Sequence, residues 1–351
     1  MSKLTMVWGA PGQDSYFLIK LLEERGDNIV AIHRRAYQHD FSDFKDIKNI
    51  TFEMCDLTDA SGVSDLIQRY KPDECYNLAA QSFVGISFQN PTHTLYNNII
   101  GQTNLLESIR RISPSTKLYY AGSSEEFGNQ YDMDPITKEK YQGDETKLWP
   151  VSPYGVSKVA CRHLNDIYRK AYGLFICTAQ NHNHSSFRRP DNFVFGKIVK
   201  YTAKLKKWLN RHEVLSFDKE FMTGKYKESD GLFSIFEKLR LGNIKSVRDE
   251  SHSLDIMRAA LLMMAQEKPD DYVVCSGIGT SVEEVLKKSF EYCGIKNYND
   301  YWIVDPKFFR ELELDYLQGD CSKIKQIGWK PLISLDELIR ESIEYHYEKT
   351  N

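Results

Sequence analysis

Short apolar runs alternate with amphipathic stretches through the first half of the chain. LTMVW (4–8), NIVAIH (28–33), ITFEMC (50–55), DECYNLA (73–79) and TKLYYAG (116–122) have the length and apolar density of buried strands. Between them, FLIKLLEERG (17–26) and SDLIQRY (64–70) repeat apolar residues every three or four positions and predict helices, the first closed by Gly26. Longer helices are predicted over NNIIGQTNLLESIRR (97–111) and YGVSKVACRHLNDIYRKAY (154–172). Strand, helix and strand at this spacing require parallel strands joined by right-handed crossovers, hence a doubly wound α/β sheet. The last third is less regular. EEVLKKSFEYCG (283–294) and LDELIRESIEYHYEK (335–349) predict helices, whereas the polar stretch DKEFMTGKYKESDGLF (218–233) predicts an inserted loop. The expected organisation is a first domain over 1–185 and a smaller mixed lobe over 186–351, some of whose segments return to the first domain.

Composition narrows the function classes. A length of 351 residues with 41% hydrophobic content is enough for a large core. The net charge of -3 supplies no basic stripe, so nucleic acid is not expected as a partner. Seven cysteines are scattered without paired spacing, which argues for reduced packing residues and against a metal or disulfide frame. With no long apolar run and no signal-peptide pattern, no membrane partner is expected, and a cytoplasmic location is.

Two segments carry chemistry. WGAPGQDS (8–15) joins the first strand to the first helix. Gly9 and Gly12 there permit a tight turn and close backbone approach to a pyrophosphate, with Gln13 and Asp14 opening the helix. A glycine pair also suits an ordinary strand-to-helix turn, and the position of a third glycine is held by Ser15. The second strand ends in HRR, where Arg34 and Arg35 suit a 2′-phosphate and favour NADP over NAD, although arginines there also fit plain surface charge. Asp56, followed by Leu57, is placed to hold the adenine edge. In SPYGVSK (152–158), Tyr154 and Lys158 fall one helical turn apart. An ammonium beside the phenol is expected to lower its pKa and make it a base for a sugar hydroxyl, with Ser123 holding the same hydroxyl. The preceding strand runs into AGSSEEFG (121–128), whose adjacent Glu125 and Glu126 are either solvated loop residues or include one that moves a proton.

WGAPGQDS, HRR, YNLAAQS (76–82), AGSSEEFG, SPYGVSK and NHSSFRRPDNFV (183–194) together resemble the extended short-chain dehydrogenases/reductases, and most closely the GDP-mannose 4,6-dehydratase family. The resemblance runs on through VRDESHSLD (247–255), KPDDYVVCSG (268–277) and FFRELELDYLQGD (308–320). It implies a Rossmann-type cofactor domain, NADP, and a GDP-hexose converted to its 4-keto-6-deoxy form by hydride transfer from C4 to C6 with loss of water. Ser123, Glu125, Tyr154 and Lys158 are the implied catalytic set. Glu125 removes the C5 proton from a raised pKa, and Glu126 is a structural or loop carboxylate. Ser82, Asn183, Lys197, Arg248, Arg310 and Glu313 are implied to hold the substrate, the two arginines clamping the diphosphate and Glu313 the ribose.

Departures from the family pattern are Ser15 for glycine, Ser185 for glutamate, Phe187 for proline, Glu250 for tryptophan and Glu311 for proline. The stretch near 216–236 is additional. The segment after Arg35 is too short for the loop that joins such enzymes into tetramers. A homodimer through 97–111 and 154–172 is therefore expected, with a tetramer left open. A 4-keto-6-deoxy-sugar reductase or epimerase, a dehydratase acting on a GDP-heptose, and a non-catalytic cofactor-binding protein are the competing readings.

Overall fold

The computed structural model describes residues 2–34, 41–211, 222–227 and 233–350. Its centre is a seven-stranded parallel sheet: β1 (Leu4–Trp8), β2 (Asn28–His33), β3 (Ile50–Met54), β4 (Glu74–Asn77), β5 (Lys117–Ala121), β6 (Ile176–Asn181) and β7 (Asp271–Val274). The spatial order is β7-β6-β5-β4-β1-β2-β3, so the winding reverses between β1 and β4. Ligand crevices of doubly wound sheets open at such a reversal, beyond the carboxyl ends of the strands.

Strand alternation sorts the core into two faces. Val7, Ile29 and Ala31 point to one side and Met6, Trp8, Val30 and Ile32 to the other. Helices α1 (Gln13–Arg25) and α6 (Ser253–Met264) cover the first face through Leu18, Leu22, Met257 and Met263. The opposite face is covered by α2 (Ala60–Tyr70), α3 (Gly101–Ile112) and α4 (Pro153–Tyr172), through Ile67, Leu106, Ile109 and Tyr168. Each aliphatic side chain buried this way contributes about 1.5–3 kcal/mol. Helix ends follow the sequence. Gly26 closes α1 at φ +83°, and Ser152 caps α4 by accepting from the Gly155 amide at 3.0 Å.

A second core joins α5 (Val194–Leu209), α7 (Val282–Tyr292) and α8 (Leu335–Lys349), through Ile198, Val199, Leu286, Phe290, Leu338 and Ile339. Beside it, the short strand Val247–Asp249 lies between Gly279–Ser281 and Tyr316–Leu317. The Asp249 carboxylate, fully buried, accepts from the amides of Ser276 and Gly277 at 2.8 Å each, which holds that strand in place. The polar stretch read as a loop is in part a hairpin, Met222–Lys227 pairing antiparallel with Phe233–Glu237. Alternation within KYK and FSIF suits paired strands better than the overall polarity suggested. The intervening and preceding parts of that stretch lie outside the described residues, as does Arg35.

Candidate active site

The glycine loop emerges from β1 with Gly9 at φ +100°, where a Cβ would stand 2.9 Å from the Ala79 amide nitrogen. Only glycine suits both that backbone angle and that approach. Ser15, in the place of the third glycine, is buried and turns its hydroxyl into the loop, donating within 3.2 Å of the Gly9 carbonyl and 3.0 Å of the Gly12 carbonyl. The substitution therefore leaves no polar group stranded. A cavity runs from this loop past Arg34, Asp56 and Leu57 to Ser82, Asn98 and Arg189.

Two residues assigned to the cofactor spend their side chains on the protein. The Asp14 carboxylate accepts from Ser253 Oγ at 2.6 Å and pairs with His184 Nε2 at 3.0 Å. Burial pushes its pKa up, but His184, Ser253 and Gln13 more than offset this and hold it well below the usual carboxylate range. Gln13 donates to the His184 carbonyl at 3.2 Å and accepts from Ser186 Oγ at 3.1 Å. Both side chains fasten α1 to the chain after β6 and leave the backbone at the helix start to face the cavity. Ser82, assigned to the substrate, stands on this cofactor-side cavity instead.

Beyond β5 the chain makes a 3-10 turn, Ser124–Glu126, and neither glutamate is solvated. Glu126 is fully buried. Its Oε1 accepts from the Ser123 amide at 2.9 Å and its Oε2 from Gln180 Nε2 at 3.2 Å, which makes it the fastener of the turn. Burial raises its pKa to about 7 against the pull of Arg162 and Lys158. The sign follows. Between its ordinary value of 4.5 and about 7 the folded chain holds a proton that the unfolded chain has released, so stability falls as pH rises through that window. The expected loss is about 3 kcal/mol. Glu126→Gln, whose amide can meet the unpartnered Oε1 of Gln180, is expected to flatten this dependence. Urea midpoints at pH 5 and pH 8 check it, and equal drops in both proteins would refute it.

Glu125 is 8% exposed and ion-paired through Oε1 to Arg310 Nη1 at 3.0 Å, while its buried Oε2 has no partner among the described residues. Tyr154, 7% exposed at the start of α4, lies near the Ser123 side chain, whose hydroxyl accepts from the Glu125 amide at 3.2 Å. Helix and turn touch closely: a Cβ on Gly155 would stand 2.6 Å from the Glu125 carbonyl oxygen. The expected effect of Lys158 on Tyr154 is not seen. The lysine Nζ donates to the Ala121 carbonyl at 2.6 Å and lies 5.7 Å from the Tyr154 ring centre. Burial instead pushes the Tyr154 phenol well above its ordinary value, with Ser123 pulling it down, Glu125 and Glu126 adding to the rise and Arg189 opposing it.

A second cavity is walled by Asn183, Lys197, Arg248, Arg310 and Glu313, five of the six residues assigned to the substrate. Arg248 donates to the Val247 carbonyl at 2.8 Å, and burial together with the charge of Arg310 lowers its pKa to about 10. Lys197 lies over the Phe308 ring at 3.7 Å and donates to the Arg240 carbonyl. The Glu313 carboxylate accepts from the Arg310 amide at 2.7 Å and thereby shapes the turn that carries the arginine.

Two residues escaped the sequence reading. Arg189 borders both cavities, stacks 3.7 Å from the Phe193 ring centre and has a buried Nε without a partner among the described residues. Asn98 donates to Ser157 Oγ at 2.8 Å and accepts from the Gln81 amide at 2.8 Å, tying the cofactor cavity to α4. Glu250, marked in the sequence only as a departure from the family pattern, lines the second cavity together with Ser185, and its buried Oε1 has no partner among the described residues. The two departures at 185 and 250 thus line the same cavity. The second arginine of FRRP was the only available signal for Arg189.

The sheet, the glycine loop and the Ser123–Tyr154–Lys158 grouping define an extended short-chain dehydrogenase/reductase. A family profile described as GDP-mannose 4,6 dehydratase matches residues 6–220 and 232–342, and the chain belongs to that family. It is accordingly an enzyme, a nucleotide-sugar 4,6-dehydratase of the hydro-lyase class. It is 36% identical over 360 residues to GDP-mannose 4,6 dehydratase 2 of Arabidopsis thaliana, covering 99% of this chain and 87% of the relative. Its fold resembles dTDP-glucose 4,6-dehydratase from Bacillus anthracis in complex with NAD (TM-score 0.76, 19% identity, 99% of this chain and 97% of that one). It also resembles RMD from Pseudomonas aeruginosa complexed with NADPH (TM-score 0.73, 20% identity, 99% and 100%). The gap in the family match at 221–231 falls within the extra hairpin region. Among the described residues no helix is long and apolar enough to cross a membrane, and no cluster of His, Cys, Asp and Glu is arranged for a metal.

Proposed function

We propose that the enzyme converts GDP-mannose to its 4-keto-6-deoxy sugar, with NADP as the resident cofactor. One observation carries the reading: a buried carboxylate with a free oxygen, Glu125 Oε2, stands beside the Ser123–Tyr154 pair. Oxidation and reduction at C4 need only the hydroxyl-holding serine, the tyrosine and the cofactor. Removal of a C5 proton needs a further base, and Glu125 is placed to be that group.

The close approach at Gly9, the amides at the start of α1 and Arg34 at the end of β2 suit a dinucleotide. Bound there, NADP⁺ would accept the hydride from C4 and, as NADPH, would return it to C6. Ser123 orients the sugar C4 hydroxyl, and Tyr154 takes its proton as the phenolate, a form that burial disfavours and that the positive charge of a bound nicotinamide would favour. Glu125 takes the C5 proton and gives it to the departing C6 hydroxyl, which leaves as water; once hydride reaches C6, C5 takes up one proton, which balances the one lost from the C4 hydroxyl. Lys158, bonded to the Ala121 carbonyl, braces α4 against β5 and holds a positive charge beneath the cofactor site. Arg248, Arg310 and Lys197 supply cationic donors for the diphosphate, and Asn183 an amide.

The test is mass spectrometry of the protein incubated with GDP-mannose and no added reductant. Loss of one water from the nucleotide sugar is expected. Turnover only with a 4-keto-6-deoxy sugar and NADPH would overturn the reading in favour of a reductase. For the cofactor, Arg34 faces Asp56 at 3.9 Å with both side chains exposed, a weak pair that a 2′-phosphate can displace. Arg34→Ala is expected to weaken NADP⁺ binding about tenfold and leave NAD⁺ nearly unaffected. Fluorescence titration with both cofactors checks this, and equal weakening would remove Arg34 from phosphate recognition. The exposed Val156, Ile167 and Tyr172 on α4 support a homodimer through α3 and α4, which light scattering tests directly.

A further inference from the structure

Glu125 is not part of the wall of the second cavity. Arg310, which is, touches it from the cavity side. The contact joins residues 185 positions apart, and it is the only hydrogen bond recorded for either carboxylate oxygen among the described residues. Arg310 is thus held by the carboxylate proposed to do the elimination. Its side chain is 31% exposed, so the pair is neither locked in the core nor fully solvated. The turn that carries it is anchored separately, through the Arg310 amide and Glu313, which leaves the guanidinium able to move without the backbone.

Arg248 faces the same cavity and lies within the field of both Arg310 and Glu125. Two guanidinium groups side by side favour a doubly charged anion over a single carboxylate. A diphosphate seated between them takes donors and charge that otherwise serve Glu125.

We propose that the substrate diphosphate and the Glu125 carboxylate compete for Arg310, so that seating the nucleotide end of the substrate releases the base. The inference rests on the reading of Glu125 and of the GDP-sugar given above. It makes Arg310 a positioning residue with two partners, and it couples recognition at one end of the substrate to proton removal at the other. Before the diphosphate arrives, the carboxylate is neutralised and screened from the cavity. Afterwards, it faces the sugar with both oxygens available.

The coupling has a consequence that a purely structural ion pair lacks: removing the catalytic carboxylate tightens nucleotide binding. GDP affinity is to be measured by calorimetry on the NADP⁺-loaded protein as wild type, Glu125→Gln, Arg310→Ala and the double variant. Glu125→Gln is expected to bind GDP about five- to tenfold more tightly than wild type. In the Arg310→Ala background the same change is expected to alter affinity less than twofold, because the shared partner is gone. Equal tightening in both backgrounds would show simple repulsion between carboxylate and diphosphate and would overturn the competition. Unchanged affinity in Glu125→Gln would overturn it as well. Failure of GDP to bind any of the four, with NADP⁺ binding intact as proof of folding, would instead overturn the GDP-sugar reading on which the inference stands.

Discussion

Glu125→Gln is expected to oxidise the sugar at C4 and then fail to expel water. The variant retains the shape of the side chain and an acceptor for Arg310, so the turn over Ser124–Glu126 and its cap on Ser123 persist. What it loses is the ability to take a proton. General-base groups of this kind contribute about 10²–10⁴-fold, and water release should fall by that factor. Reduction of the nicotinamide, which needs Tyr154 and Ser123, should survive, so a single burst of reduced cofactor accumulates and stays. Rapid-mixing absorbance and mass spectrometry of the quenched sugar read the two events separately. Water loss at the wild-type rate would remove Glu125 from the elimination.

The companion result is expected from Tyr154→Phe. The ring fills the same buried place at the head of α4, and the close packing of that helix on the Ser123 turn is retained. The proton acceptor for the C4 hydroxyl is lost, so the first hydride transfer should fall by about 10²–10⁴-fold, with cofactor binding intact. No reduced nicotinamide then appears, in contrast to the burst expected of Glu125→Gln. The two variants thus divide the reaction at the 4-keto stage. Cofactor reduction at the normal rate in Tyr154→Phe would assign the proton to another group. Lys158 does not touch the phenol, its Nζ being held by the Ala121 carbonyl at 2.6 Å. Its replacement is therefore expected to act through the seating of α4 on β5 and through the charge near the cofactor.

Much of this arrangement is legible before any coordinates. The alternation in LTMVW and NIVAIH requires two buried faces, and Val7 against Met6 and Trp8 realise them. Gly26, Ser152 and Gly155 announce helix ends and a close contact because backbone geometry there depends on the residue itself. Tyr154 and Lys158 one turn apart need only the helix to be recognised. The hairpin of Met222–Lys227 with Phe233–Glu237 is harder to read, since a strand pair in a polar segment depends on what it packs against. Glu126 is harder still. Nothing local distinguishes it from Glu125, and its burial comes from Gln180 of β6, 54 positions away.

The sequence by itself determined the doubly wound sheet, the glycine loop and the candidates for the reacting groups, because short-range periodicity and residue chemistry specify those. The tertiary structure alone decided how the charged groups pair. Asp14 goes to His184 and Ser253, Glu126 closes a buried cap, and Arg310 reaches Glu125. Such pairings are set by which distant segments meet at the sheet's carboxyl edge, and a charge carries no mark in the sequence of the partner that folding will bring to it.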